Sequence, residues 1–269
     1  LHLTSAIIPA MLAAGDVVGR NGGRDTLAAM ILGIELAARI GVAEHPRRRG
    51  GGFLPTSLAG SFGAVLTAAR LLELTPKQTV HALGINYAQI SGNRQALLDT
   101  SLTKRLQPGF AVRSALWAAA LAQSGISGPH RALEGDAGYF AIYMNGDIPE
   151  PEALLYADET FAVEHVSTKR FPSCGACHSV QIAAEQLRLE EALAPDNIAC
   201  VELFGVAPLV AQRFEPSDNP QVNAQFNAAW GVAHTLLRGP ARLTDYTDEA
   251  IRADRDVCEL AAAIHHVKR

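Results

Sequence analysis

The sequence predicts a mainly α protein, with an all-helical domain over residues 1–163 followed by a smaller α+β domain over residues 164–269. Two observations carry this reading. From Ala6 to about Arg131, Ala and Leu recur at helical spacing in segments separated by Gly or Pro, the pattern of antiparallel helices packed closely through small residues. Around Gly146 to Pro151 the texture turns acidic, Pro-containing and less periodic, and strand and helix signals mix beyond it.

The elements follow in order. Arg24 to Ile40 reads as an apolar-striped helix ended by Gly41, and Pro55 to Leu72 as a helix carrying Ala and Gly at close-packing positions. Thr75 precedes Pro76 at a first helical position, with Gln78 placed as a capping-box partner, so a helix runs through His81 to about Ala88. The last helix of the group spans about Phe110 to Ser124 and stops at Gly125. In the second domain, His165 to Phe171 reads as a strand or extended segment and Cys177 to Arg188 as a helix. Ile198 to Val206 then reads as a β-run, and Ala224 to Leu237 as a helix closed by Gly239. Thr247 caps a final helical stretch, where Asp248 and Glu249 suit the positive end of the helix dipole.

Composition narrows the function. Of 269 residues, 48% are hydrophobic and 19% charged, enough to bury a substantial core. With 23 basic against 27 acidic side chains the formal charge is −4, and no Lys/Arg block is long enough to track a phosphate backbone, which argues against nucleic acid as a partner. Charged residues and His are read as interrupting every apolar run before membrane-spanning length, and no basic-then-apolar leader is read at the start. The expectation is a cytoplasmic protein without a membrane partner. Four cysteines are too few for a disulfide scaffold, so reduced thiols are expected. The chain opens at Leu1 with no initiator Met, and an upstream segment is expected.

Two clusters could carry chemistry. Asn86-Tyr-Ala-Gln-Ile-Ser-Gly-Asn-Arg-Gln95 leads into Ser101-Leu-Thr-Lys-Arg-Leu-Gln-Pro-Gly109, a polar, loop-forming stretch between apolar helices. Lys104 could transfer a proton and Arg105 could hold a carboxylate, although on composition alone a solvated connection is the commoner explanation. The second cluster is Lys169-Arg-Phe-Pro-Ser-Cys-Gly-Ala-Cys-His178 before an apolar helix. At a helix N-terminus the dipole disfavours imidazolium and keeps His178 a neutral base. A zinc site on Cys174, Cys177 and His178 is the rival, but a second ligand pair is missing. A redox Cys-x-x-Cys would need a thioredoxin-like strand that this helical pattern does not supply. His45, His81, His130, His234, His265 and His266 read as surface or packing residues, and Arg49-Gly-Gly-Gly-Phe53 as a flexible turn, since it lacks phosphate-loop spacing.

Taken together, these segments resemble the MmgE/PrpD family along essentially the whole chain. The carriers are His2-Leu-Thr-Ser-Ala-Ile-Ile-Pro9, Phe53-Leu-Pro-Thr56 with Gly60-Ser-Phe-Gly63, His81-Ala-Leu-Gly-Ile85, Thr103 to Gly109, Lys169 to His178, and Ala224-Gln-Phe226. No single motif is specific; their order and spacing make the likeness. The resemblance implies a helical domain joined to an α+β lid domain, an active site in the cleft between them, and a homodimer. It also implies chemistry without metal or other cofactor at the carbon beside a carboxylate of a small polycarboxylate. By motif, His2, Lys104 and His178 match catalytic positions, and Thr103, Arg105 and Lys169 substrate-binding ones. The implied activity is that of a lyase, either a 2-methylcitrate dehydratase-like enzyme or a decarboxylase. Epimerase or isomerase action on an amino or imino dicarboxylate is the runner-up, and a non-catalytic dimeric member is the alternative from another class. Two departures bear on this: Leu54 stands where the family commonly has His, and Trp230 where Tyr is expected. Relative to the family the chain looks shortened at both ends.

Overall fold

The computed structural model describes residues 1–19, 22–44, 52–146, 154, 160–191, 193–215 and 217–267. His45, residues 49–51 of the Arg49–Phe53 turn and most of the Gly146–Pro151 texture change lie outside the described residues. The chain divides into two compact units, one of residues 1–95 and 103–166, the other of residues 96–102 and 167–269. As the composition pattern predicts, the protein is mainly helical, and among the described residues strand is confined to two three-residue segments.

The first unit contains α1 (Thr4–Val18), α2 (Gly23–Ala43), α3 (Pro55–Leu71), α4 (Pro76–Tyr87), the start of the short α5 (Gln95–Leu98), α6 (Thr103–Gln123) and α7 (Tyr139–Tyr143). Helix α3 is its axis, packing on α1, α2, α4 and α6, with 14 of its 17 residues buried. Small residues make that possible. A Cβ added at Gly63 would fall 2.4 Å from the Gly33 carbonyl oxygen, so α2 and α3 meet backbone to backbone. Leu58 and Phe62 on the same helix are wholly buried, each contributing about 1.5–3 kcal/mol of hydrophobic stabilisation. Deeper in, Tyr139 donates its hydroxyl to the buried carboxylate of Glu44, and Asn86 donates to Ser61 at 3.1 Å.

Helix α4 starts as its sequence predicts. Thr75 Oγ1 accepts from the Gln78 amide at 3.3 Å, and Gln78 Oε1 accepts from the Thr75 amide at 3.0 Å. Two other expectations change. Gly41 does not end α2, which continues to Ala43; a Cβ there would fall 2.0 Å from Leu1 Cδ1, so this glycine serves packing. Helix α6 begins at Thr103, seven residues before the expected start, so Lys104 and Arg105 lie in its first turn and not in a loop. Pro108 is accommodated because it removes only one intrahelical bond near the N-terminal end, while Gln107 ties the turn to the chain before it (below).

Helix α2 also corrects the expectation that no apolar run reaches membrane length. Over 21 residues it is long and apolar enough to cross a membrane by length and composition. Half of its apolar window is buried inside the protein. Its Glu35 accepts from Arg39 at 2.6 Å and from the Val163 amide at 3.2 Å, the pattern of a core helix whose charges are engaged by protein.

The second unit contains α8 (His178–Glu190), β1 (Glu202–Phe204), α9 (Pro220–Gln225), α10 (Ala228–Arg238), α11 (Asp248–Ala253), α12 (Arg255–Ala263) and β2 (His265–Val267). Its centre is α10, nine of whose 11 residues are buried, packed on α8 and α12. The Trp230 ring lies 4.7 Å from that of Tyr246 and 5.2 Å from that of His234. The strands pair in parallel, Glu202 with His265 and Phe204 with Val267, which assigns His265 and His266 to a sheet. Residues 166–171 form no strand; a short 3₁₀ turn over Ala162–His165 leads into extended chain. The expected β-run shrinks to Glu202–Phe204, where only Leu203 is buried. The Ala224–Leu237 helix is broken at Phe226, because Asn227 Oδ1 accepts from the Trp230 amide at 3.1 Å and starts α10 afresh. Gly239, at φ 92°, closes α10, and Thr247 caps α11 by accepting from the Ala250 amide, both as read from sequence.

Candidate functional site

The sequence-derived candidates are carried by both units: His2, Thr103, Lys104 and Arg105 by the first, Lys169 and His178 by the second.

In the first unit His2 precedes α1 and is held against the start of α3. Its amide donates to Thr56 Oγ1 at 3.3 Å, and its ring Nδ1 lies 3.3 Å from the same oxygen. Thr56 is buried one residue behind Pro55, the first residue of α3, so a rigid helix end fixes the histidine. The histidine's carbonyl accepts from Ser5 Oγ at 2.6 Å. Lys104 is half-buried in the first turn of α6, between the exposed Thr103 and Arg105. That turn is anchored by buried Gln107, which donates to the Asn93 carbonyl and accepts from the Asn93 amide, both at 3.0 Å. The same strip of chain bridges to the segment before α3, where the Leu54 amide donates to the Gly92 carbonyl at 3.1 Å. Leu54 is buried at 7% exposure, so the position where the family commonly has His is filled by an apolar side chain turned into the protein.

In the second unit Lys169 and His178 are brought together by one residue, Ser173. Lys169 Nζ donates to the Ser173 carbonyl at 2.6 Å, and the backbone of Ser173 and Phe171 lies where it favours the protonated His178 ring. The Ser173 hydroxyl donates to Gln181 Oε1 at 2.9 Å, and both residues are buried. His178 opens α8, and its Nε2 is buried with no hydrogen-bond partner among the described residues. Its pKa lies below the ordinary histidine value, first because burial desolvates the imidazolium and also because the Lys169 charge repels it; the backbone of Ser173 and Phe171 opposes this. Desolvation is thus the chief cause, where the sequence suggested the helix dipole. The ring packs edge-on against Phe171 at 5.3 Å.

The cysteines of this loop are free thiols. Burial pushes Cys177 up to about 12, which keeps it protonated and a poor metal ligand or nucleophile at neutral pH. Among the described residues no group of three or more His, Cys, Asp and Glu side chains is placed to hold a metal ion. Trp230 is a core side chain at 1% exposure, and its indole Nε1 has no partner among the described residues. Sequence reasoning missed Thr56, Gln107 and Ser173. All three act through contacts to distant or backbone groups that no local pattern announces.

Residues 1–152 match the MmgE/PrpD N-terminal domain model and residues 171–269 the MmgE/PrpD C-terminal domain model. The chain belongs to the MmgE/PrpD family. Among curated proteins it is 30% identical to a cis-aconitate decarboxylase of Aspergillus terreus, over 98% of this chain and 58% of that protein. A cis-aconitate decarboxylase-like protein of Aspergillus oryzae is 27% identical over 94% of the chain and 57% of its own length. The human cis-aconitate decarboxylase is 29% identical over 73% and 42% respectively. The chain spans about half the length of the curated relatives it matches.

Proposed function

We propose that the chain belongs to a lyase that moves a proton at the carbon beside a carboxylate of a small di- or tricarboxylic acid. The observation that carries this reading is His178, a desolvated imidazole kept towards its neutral form beside a lysine, with a buried Nε2 that has no hydrogen-bond partner among the described residues. Such a nitrogen is a ready proton acceptor. In a dehydration, His178 takes the proton from carbon, the electron pair becomes an enolate neutralised by the Lys104 cation, and the β-hydroxyl takes that proton from His178 as it leaves as water. In a decarboxylation the bond to carbon dioxide breaks first, its electron pair enters the same enolate, and the carbon is reprotonated by His178 after the ring has gained a proton. His2, oriented by Thr56, and Arg105, Thr103 and Lys169 hold the carboxylates. The decarboxylase names of the relatives favour the second outcome, and the reading needs no metal or other cofactor. We place the protein in the cytoplasm as a homodimer.

The test is product analysis. Incubating the full-length protein with cis-aconitate, 2-methylcitrate and related polycarboxylates should yield carbon dioxide or a dehydrated acid from one of them, followed by NMR. Tight binding without product or exchange would instead favour a non-catalytic member, the reading that the buried apolar Leu54 and core Trp230 support. Racemisation of a substrate alone would favour an epimerase.

A further inference from the structure

The second unit holds an open cavity of about 560 Å³ whose lining includes Lys169, Arg170, Phe171, Arg242 and Leu243. Three cations line it and, among the described residues, no carboxylate does. Arg170 is already compensated, donating to Glu185 at 2.6 Å. Lys169 is held by a neutral carbonyl, which orients its ammonium without cancelling the charge. Arg242 uses its amide to bind Asp245 at 2.6 Å, but its guanidinium makes no ion pair among the described residues. Lys169 and Arg242 are thus two lining cations with no ion pair among the described residues, Asp245 being engaged by the Arg242 amide and by His234. Phe171, one of the lining residues, also packs edge-on against the His178 ring at 5.3 Å, so the cavity and the proposed base share one aromatic neighbour. The Pro240–Leu243 segment that brings Arg242 here follows Gly239, which closes α10 at φ 92°. A guanidinium on the rim of a partly apolar recess suits a carboxylate, which it can hold through two parallel hydrogen bonds.

We propose that this cavity is a carboxylate subsite in which Arg242, with Lys169, binds a carboxylate of the substrate remote from the reacting carbon. The assignment rests on the lyase reading and names Arg242 as a specificity residue that the family motifs do not mark. It selects for acids bearing a further carboxylate.

The experiment compares wild type, Arg242→Ala and Arg242→Lys in the full-length protein. Steady-state kinetics would use the best tricarboxylate and its dicarboxylate counterpart. Calorimetry would measure direct binding of the unreactive propane-1,2,3-tricarboxylate and of inorganic phosphate. Arg242→Ala should raise KM for the tricarboxylate and Kd for propane-1,2,3-tricarboxylate about ten-fold, as for loss of one charge-assisted hydrogen bond at a solvent-facing site. The expected kcat is nearly unchanged, the dicarboxylate less affected, and part of the affinity retained by Arg242→Lys. Unchanged KM and Kd in Arg242→Ala, or a fall in kcat alone, would overturn the assignment. So would phosphate binding as tight as the tricarboxylate and equally sensitive to Arg242, since that marks a general anion site. If no acid is turned over, the lyase reading fails, yet the calorimetric arm still decides the subsite.

Discussion

Lys104 and His178, the two halves of the proposed acid–base pair, are held in different ways. Lys104 sits on a continuous helix whose first turn is pinned by Gln107 to both backbone groups of Asn93. His178 sits where an irregular loop becomes a helix, and its setting is made by backbone groups of Ser173 and Phe171, the Lys169 charge and burial. The lesson is a division of labour: a cation meant to stabilise charge needs a firm position, whereas a base needs an environment that sets its proton affinity.

Replacing Lys104 or His178 by Ala in the full-length protein should each lower turnover by roughly 10²–10⁴-fold, the usual contribution of a positioned proton-transfer group. Thermal melts close to wild type would show that the fold is retained. Near-normal turnover in both variants would remove the pair. Gln107→Ala should act on the Lys104 half alone. It breaks two hydrogen bonds at a buried position, so a urea titration should show a loss of about 1–3 kcal/mol, with kcat reduced. Rescue of stability without rescue of kcat by another helix-favouring residue would confirm a positioning role.

A purely structural comparison sits at the α2–α3 crossing. Gly63→Ala would press a Cβ into the Gly33 carbonyl and should cost about 1–3 kcal/mol in denaturant unfolding, with little change in the His178 environment. The cap of α4 is the smaller counterpart: Thr75→Ala should cost about 1 kcal/mol, measured in the same way.

The pH dependence separates the halves again. Because the folded-state pKa of His178 is depressed, the unfolded chain binds its proton first as pH falls below the ordinary histidine value of about 6.5. The contribution of the neutral ring to stability is present above that value and is lost as pH falls through the folded pKa. A dehydration that uses the neutral ring should therefore hold its rate at neutral pH and decline only below about 6.5, and this limb should vanish in His178→Gln. A rate that instead rises on acidification would point to the imidazolium and the reprotonation step of a decarboxylation.

What could be read in the sequence was local. The α4 capping box, the Gly125 and Gly239 stops, the Thr247 cap and the small-residue stripe of α3 each depend on neighbours a few residues away, and the structure shows them as read. What escaped depended on distant partners. The early start of α6 relies on Gln107 reaching back 14 residues, and the β1–β2 pair joins segments some sixty residues apart. The break before α10 arises because Asn227 caps where apolar periodicity alone would run on. At the site, motif order singled out His178 and Lys169, but Ser173, which joins them, acts through its carbonyl and so leaves no residue-type signature. Arg242 is likewise isolated in sequence and reaches Lys169 only through the cavity they line together.

The central claim is that this protein makes and quenches a carbanion beside a carboxylate. The direct measurement is NMR of the full-length protein with its best polycarboxylate in heavy water, following deuterium at that carbon in wild type, Lys104→Ala and His178→Ala. Deuterium entering substrate or product in wild type, and falling away in both variants, is the expected result. Binding of the acid with no deuterium incorporated and no product formed by wild type would contradict it.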